Sequence, residues 1–150
     1  MGSVALTRDG QPHFVARINA LTMESKRRWG KIEARAMVAH LRRSIEISLG
    51  EVETEDRSTF FTRSVLRWVA LSPLPIPKNM KAPPVFLVPA EGTLTAEKTR
   101  LLEAVRRFVA AEAQEPEEWI ASPLFGPLSR RDWARLNGKH LDHHLRQFSV

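Results

Sequence analysis

The sequence predicts an all-α protein, and three observations carry the prediction. Apolar residues recur at helical spacing through most of the chain. No stretch of alternating apolar and polar residues competes as a strand. The periodic segments are separated by glycine- and proline-rich breaks, as helices joined by turns require. At 150 residues, the chain suits one domain, 1–150, with a sizeable core.

Each element follows from its pattern. Val15 to Leu21 reads as a short first helix that can start earlier, and Thr22 to Gly30 as a turn or a further helical piece. Ala34 to Leu49 is amphipathic and is stopped by Gly50. Met37, Leu41, Ile45 and Ile47 fall on its inner arc, with Arg35, Arg42, Arg43 and Glu46 outside. Glu51 to Thr59 is polar and reads as a loop. Phe60 to Leu71 returns to helical spacing, with Phe61, Val65, Trp68 and Val69 on one side.

Six of the ten prolines then lie between Pro73 and Pro89. Proline lacks an amide donor and blocks helix continuation, so this segment is an extended connection. Its apolar residues, Leu74, Ile76, Val85, Phe86 and Leu87, pin it to the body, either as a pocket wall or as a structural crossover. Thr95 is the expected N-cap of the next helix, whose core stripe is Leu101, Leu102, Val105, Phe108 and Val109. Pro116 is expected to end it. Ser122 to Leu128 is a tight turn, and Ser129 caps a last helix that runs nearly to the C-terminus. Four main helices with shorter extra ones predict an antiparallel four-helix bundle.

Composition narrows the chemistry. There is no cysteine, which excludes disulfides, thiolate ligation of a metal and a thiol nucleophile from the chain itself. Neither a leader-like N-terminus nor an apolar run near the ~18 residues of a membrane span is visible, so the cytoplasm is the expected compartment. The net charge is +6. The basic pairs Arg27-Arg28, Arg42-Arg43, Arg106-Arg107 and Arg130-Arg131 are scattered among acidic residues and form no block. That pattern argues against nucleic acid and for small anionic substrates.

The C-terminal helix holds three of the five histidines. His140 and His144 stand four apart, so they project from one face, one turn above the other. Both fall within the apolar arc of Trp133, Leu136, Leu141, Leu145 and Phe148. Asp132, Lys139, Asp142 and Arg146 occupy the opposite arc, and His143 sits at the border. His40 lies on the inner arc of its own helix. Three inward imidazoles without partners would cost several kcal/mol, and a divalent metal satisfies all three at once. Buried histidines bridged by water, or a site completed by Asp or Glu, are the alternatives. Gln147 lies near the pair and can hydrogen-bond a ligand. His13 reads as a surface residue. Asp142 and Glu46 are expected to face solvent.

Trp29-Gly30-Lys31, Met37-Val38-Ala39-His40-Leu41 and Lys139-His140-Leu141-Asp142-His143-His144-Leu145-Arg146-Gln147-Phe148 together resemble the DinB-like (YfiT-related) superfamily, closest to a bacterial branch of unassigned function. The likeness runs from about Arg17 to the C-terminus. It implies a four-helix bundle that holds a divalent metal by His40, His140 and His144, often as a homodimer. Zinc is the first expectation, with nickel, manganese or iron also suited to an all-imidazole site. Some members of the superfamily are transferases or isomerases that use a low-molecular-weight thiol. A metal-dependent thiol transferase or a hydrolase is therefore the expectation, with a non-catalytic binding protein on the same bundle as the alternative. The Pro-rich stretch and the helix at Phe60 to Leu71 depart from the simplest members of that superfamily.

Overall fold

The computed structural model describes residues 3–114 and 119–150. Within them the protein is helical, without a named strand. Helix α1 is Gln11–Ala20, α2 is Ala34–Ser48, α3 is Arg67–Leu71, α4 is Leu94–Glu112 and α5 is Arg130–Gln147. Pro12 supports the start of α1, where a missing amide donor costs nothing. A single turn of 3-10 helix, Pro84–Phe86, interrupts the Pro-rich connection. One contiguous core runs from Leu6 through Phe14, Met37, Leu101 and Phe108 to Leu145 and Phe148. Helix α2 packs on α4 and α5, α1 packs on the same two helices, and α4 also meets α5.

Helix α2 lies deeper than an amphipathic reading suggests. Val38 and Ala39 are as buried as Met37 and Leu41, because α4, α5 and the 3-10 turn cover it from three directions. The outer arc assigned to Arg42 and Glu46 is corrected accordingly. The Arg42 side chain is only 14% exposed, and its Nη1 lies 2.9 Å from Glu46. Its Nε donates to Glu97 of α4 at 3.2 Å, and Glu97 is fully buried. That carboxylate also accepts from Arg100 at 3.0 Å and from the Glu91 amide at 2.8 Å. A buried carboxylate so partnered holds α4 to α2 in one register, where an unpaired one would be strongly destabilising.

Further positions differ from the sequence reading. The cap of α4 is Thr93, whose side chain accepts from the Ala96 amide, two residues before the expected Thr95. Other positions fall within the alternatives the sequence leaves open: residues 22–30 take the turn and not the helical piece, and α1 starts before Val15, at Gln11. Residues 60–71 are helical as expected, but a π-helical turn, Thr62–Leu66, precedes α3. This segment lies on the surface beside α5, so Phe61, Val65 and Trp68 are exposed. Pro116, the expected end of α4, lies outside the described residues. Ser129 caps α5 as expected, accepting from the Asp132 amide at 3.1 Å.

Lys139 is a larger correction. It was assigned to the solvent arc of α5, yet it is buried. Its ammonium donates to the carbonyls of Val69, Ala70 and Ser72 at 2.7, 3.1 and 3.0 Å. Those carbonyls close α3, and a cation there satisfies acceptors that the helix leaves open. Asp142 does not simply face solvent either: it binds Arg17 of α1 at 2.8 Å and Arg146 at 3.1 Å.

Candidate metal centre

Two helices deliver the histidines. Helix α5 carries His140 and His144 on one face, α2 carries His40, and the packing of α2 on α5 brings the two faces together. One ring nitrogen from each residue lies within 4.8 Å of the others. The Nε2 atoms of His40 and His140 are 3.0 Å apart. The three rings meet edge to face, with centroids 4.8 to 5.0 Å apart. Bonds of about 2.0–2.1 Å from imidazole to a tetrahedral ion place ligand nitrogens roughly 3.3 Å apart. The observed spacing therefore fits one ion with small adjustments of the side chains, and the three histidines could hold one.

Hydrogen bonds fix which nitrogen two of the rings offer. His40 Nδ1 stands 2.8 Å from the carbonyl oxygen of Phe86. A carbonyl only accepts, so Nδ1 carries the proton and Nε2 of the neutral ring keeps its lone pair. Gln147 does the same for His144. Its Nε2 donates to the Trp29 carbonyl at 2.9 Å, which turns its Oε1 toward His144 Nδ1 at 2.8 Å. Two of the three imidazoles are thus held with Nε2 free to bind a cation, by the kind of outer partner that orients metal-bound histidines. Gln147 acts through His144 rather than on a ligand.

Burial keeps the rings neutral. It lowers the pKa of His40, against a smaller opposing effect of the Phe86 bond. His140 is held well below its ordinary value by burial and by the neighbouring imidazoles. His144 is pushed down to about 3, chiefly by burial. Neutral imidazole is the form that binds metal. His143 is also lowered, first by burial. Its ring packs against Trp29, with centroids 5.5 Å apart, so it sits beside the cluster without joining it. His13 is exposed, as expected.

The turn before α2 is shaped for this arrangement. Gly30 has a φ of +75°, and a Cβ there would come within 2.7 Å of Gln147 Nε2. Glycine supplies the left-handed backbone and the room for Gln147 to reach the Trp29 carbonyl. Asn137, missed by the sequence reading, is buried one turn before the pair and donates to Ser48 Oγ at 2.9 Å, tying α5 to α2.

The cluster lies in the wall of an open cavity of about 720 Å³. The Pro-rich connection supplies much of the lining between residues 76 and 87, including Ile76, Met80, Pro83 and Phe86. Both readings of that segment therefore apply, since the crossover is itself the pocket wall. Its place is set by Phe86 bonding His40 and by Arg43 Nε donating to the Val85 carbonyl at 3.1 Å. A family model described as "Protein of unknown function (DUF1569)" matches residues 5–150. The chain belongs to that family. No curated protein and no solved structure matches it. In this DUF1569 chain the family match spans His40, the Pro-rich wall and the paired histidines of α5 alike. Among its described residues no helix is long and apolar enough to cross a membrane.

Proposed function

We propose that this DUF1569 protein is a cytoplasmic, metal-dependent enzyme built on the antiparallel four-helix bundle of the DinB-like superfamily. His40, His140 and His144 are its metal ligands, and zinc is the first candidate ion. The observation that carries the reading is the triad's place in the wall of an open cavity, with three ligand nitrogens, one from each histidine, and no fourth ligand among the described residues. A structural site closes its shell with four protein ligands, whereas three leave a position for a ligand from the cavity. A divalent ion there would supply Lewis acidity that lowers the pKa of a thiol or of water.

The lining favours the thiol reaction over hydrolysis. Among the described residues no Asp or Glu lines the cavity, so no carboxylate stands ready as a general base. A thiol with a lowered pKa is a nucleophile without one. The chain has no cysteine, so the thiol is a low-molecular-weight cosubstrate. His40 and His144 hold their orientation through Phe86 and Gln147. Homodimerisation is part of the proposal, supported by the exposed Phe60, Phe61 and Trp68. The same lack of a carboxylate base also favours the rival reading, a binding protein without catalysis.

The deciding experiment has two stages. Metal is measured in the purified protein and in the His40→Ala/His140→Ala/His144→Ala variant. The metal-loaded protein is then given small thiols with an electrophile, and thioether formation is followed. Full metal content in the triple variant refutes the ligand assignment. Metal binding without turnover of any thiol supports the binding-protein reading instead.

A further inference from the structure

The charge at the cavity is one-sided. Its walls are largely apolar, formed by Met80, Phe86, Leu124, Phe125, Leu136 and Trp133. Apart from the histidines, the ionisable residues lining it are Lys31 and Lys81, both exposed. No ion pair or hydrogen bond engages either ammonium among the described residues. A third lysine, Lys78, has its Nζ 4.6 Å from the centre of the ring of Trp29, a residue of the cavity lining. Many of the arginines, by contrast, are paired: Arg17, Arg27, Arg42, Arg63, Arg67 and Arg107 each meet a carboxylate. Lys31 and Lys81 thus leave unpaired positive charge at a cavity whose lining, among the described residues, has no carboxylate to offset it.

Unpaired cations beside a low-dielectric hollow focus their field into it and attract anions. Apolar walls take up hydrocarbon, and a volume of about 720 Å³ lies in the range of pockets that enclose a small organic molecule. We infer that the cavity binds a small amphipathic anion, with its apolar body against the Phe86, Phe125 and Leu136 wall and its carboxylate, phosphate or sulfonate at Lys31 and Lys81. The inference rests on the proposed function for one point, that the end of the ligand opposite the anion reaches the histidines. It names the electrophile, or the ligand of a non-catalytic protein, as an acid with a hydrocarbon body.

The test compares three ligands of one chain length, decanoate, decanol and decylammonium, on chelator-treated protein. Binding is read from the fluorescence of Trp29 and Trp133, which line the cavity. Decanoate is expected to bind one-to-one and more tightly than the other two. Lys31→Gln/Lys81→Gln is expected to weaken decanoate about five-fold, the scale of two exposed charge contacts, and to leave decanol unchanged. Equal affinity for all three ligands, a preference for decylammonium, or an undiminished preference for decanoate in the variant overturns the inference. So does adsorption to phosphatidylglycerol vesicles without saturable binding of free decanoate. Metal titration runs in parallel. Metal uptake without decanoate binding overturns this inference alone. Decanoate binding that needs the lysines, in a protein that takes up no metal, supports it and overturns the metal reading.

Discussion

His40 and His140, a hundred residues apart in the chain, bring their Nε2 atoms to 3.0 Å. Since His40 Nδ1 must donate to the Phe86 carbonyl, the proton between the two Nε2 atoms belongs to His140 in the metal-free protein. Coordination through His140 Nε2 would then require that proton to shift to Nδ1, whereas His40 and His144 are already in the right tautomer. The outer hydrogen bonds are therefore expected to matter for affinity. Gln147→Leu removes the acceptor of His144 Nδ1 and is expected to weaken metal binding about 10–100-fold with the stoichiometry kept. Competition with a chromophoric chelator measures it, and unchanged affinity would show that Gln147 does not orient the ligand.

The same burial makes the metal-free protein sensitive to acid. His40, His140, His143 and His144 all have folded-state pKa values below their ordinary value of 6.5. Below pH 6.5 the unfolded chain takes up protons that the folded chain refuses. Stability is thus fully present above that pH and falls as the pH drops, down to about 3 for His144. The slope is at most about 1.4 kcal/mol per pH unit for each histidine. Urea unfolding at about pH 7 and about pH 5 measures it, with His144→Leu expected to flatten the profile. A native protein equally stable at both would contradict the burial of these rings as neutral groups.

Much of this was legible before the structure. The i, i+4 spacing of His140 and His144 and the place of His40 among Met37, Leu41 and Ile45 put all three rings inward, and the fold brings them together. Helix α2 was legible because Gly50 ends it and its apolar residues repeat cleanly. What escaped the sequence were polar residues whose burial depends on a neighbour. Lys139 and Arg42 sit on arcs that a helical wheel assigns to water, and only α3 and α4 packing over those arcs reverses the assignment. The exposed Phe61 and Trp68 are the converse, since periodicity gives a face but not what lies against it. Gln147 was noticed for its arc, but its partner depends on the Trp29–Gly30 turn, which has no helical period.

Lys139 offers a stability test away from the cavity. Its ammonium donates to three carbonyls at the end of α3, one of which, that of Val69, also accepts from Ser72 Oγ, and burial lowers its pKa. Lys139→Met keeps the apolar stem and removes the donor. Losing that donor is expected to cost about 1–3 kcal/mol. The loss should fall on residues 60–72, so amide exchange should rise there while the core amides of α2 stay protected. Uniform loss of protection, or none, would count against a local clamp.

The last expectation concerns Gly138, where the N-terminal segment crosses α5. Leu6 N–H donates to the Ala134 carbonyl at 2.8 Å, and a Cβ on Gly138 would meet the Val4 carbonyl oxygen at 2.1 Å and the Ala5 Cα at 2.9 Å. In an open helix, replacing an interior glycine with alanine would gain about 1 kcal/mol. Here the added methyl meets backbone rather than a flexible side-chain tip, and the segment can make room only by leaving α5. Leu6, fully buried in the core, would leave with it. Gly138→Ala is therefore expected to destabilise the protein by about 1–3 kcal/mol and to expose the N-terminal segment to protease. A stabilised Gly138→Ala variant would mean that this segment does not pack on α5 in solution.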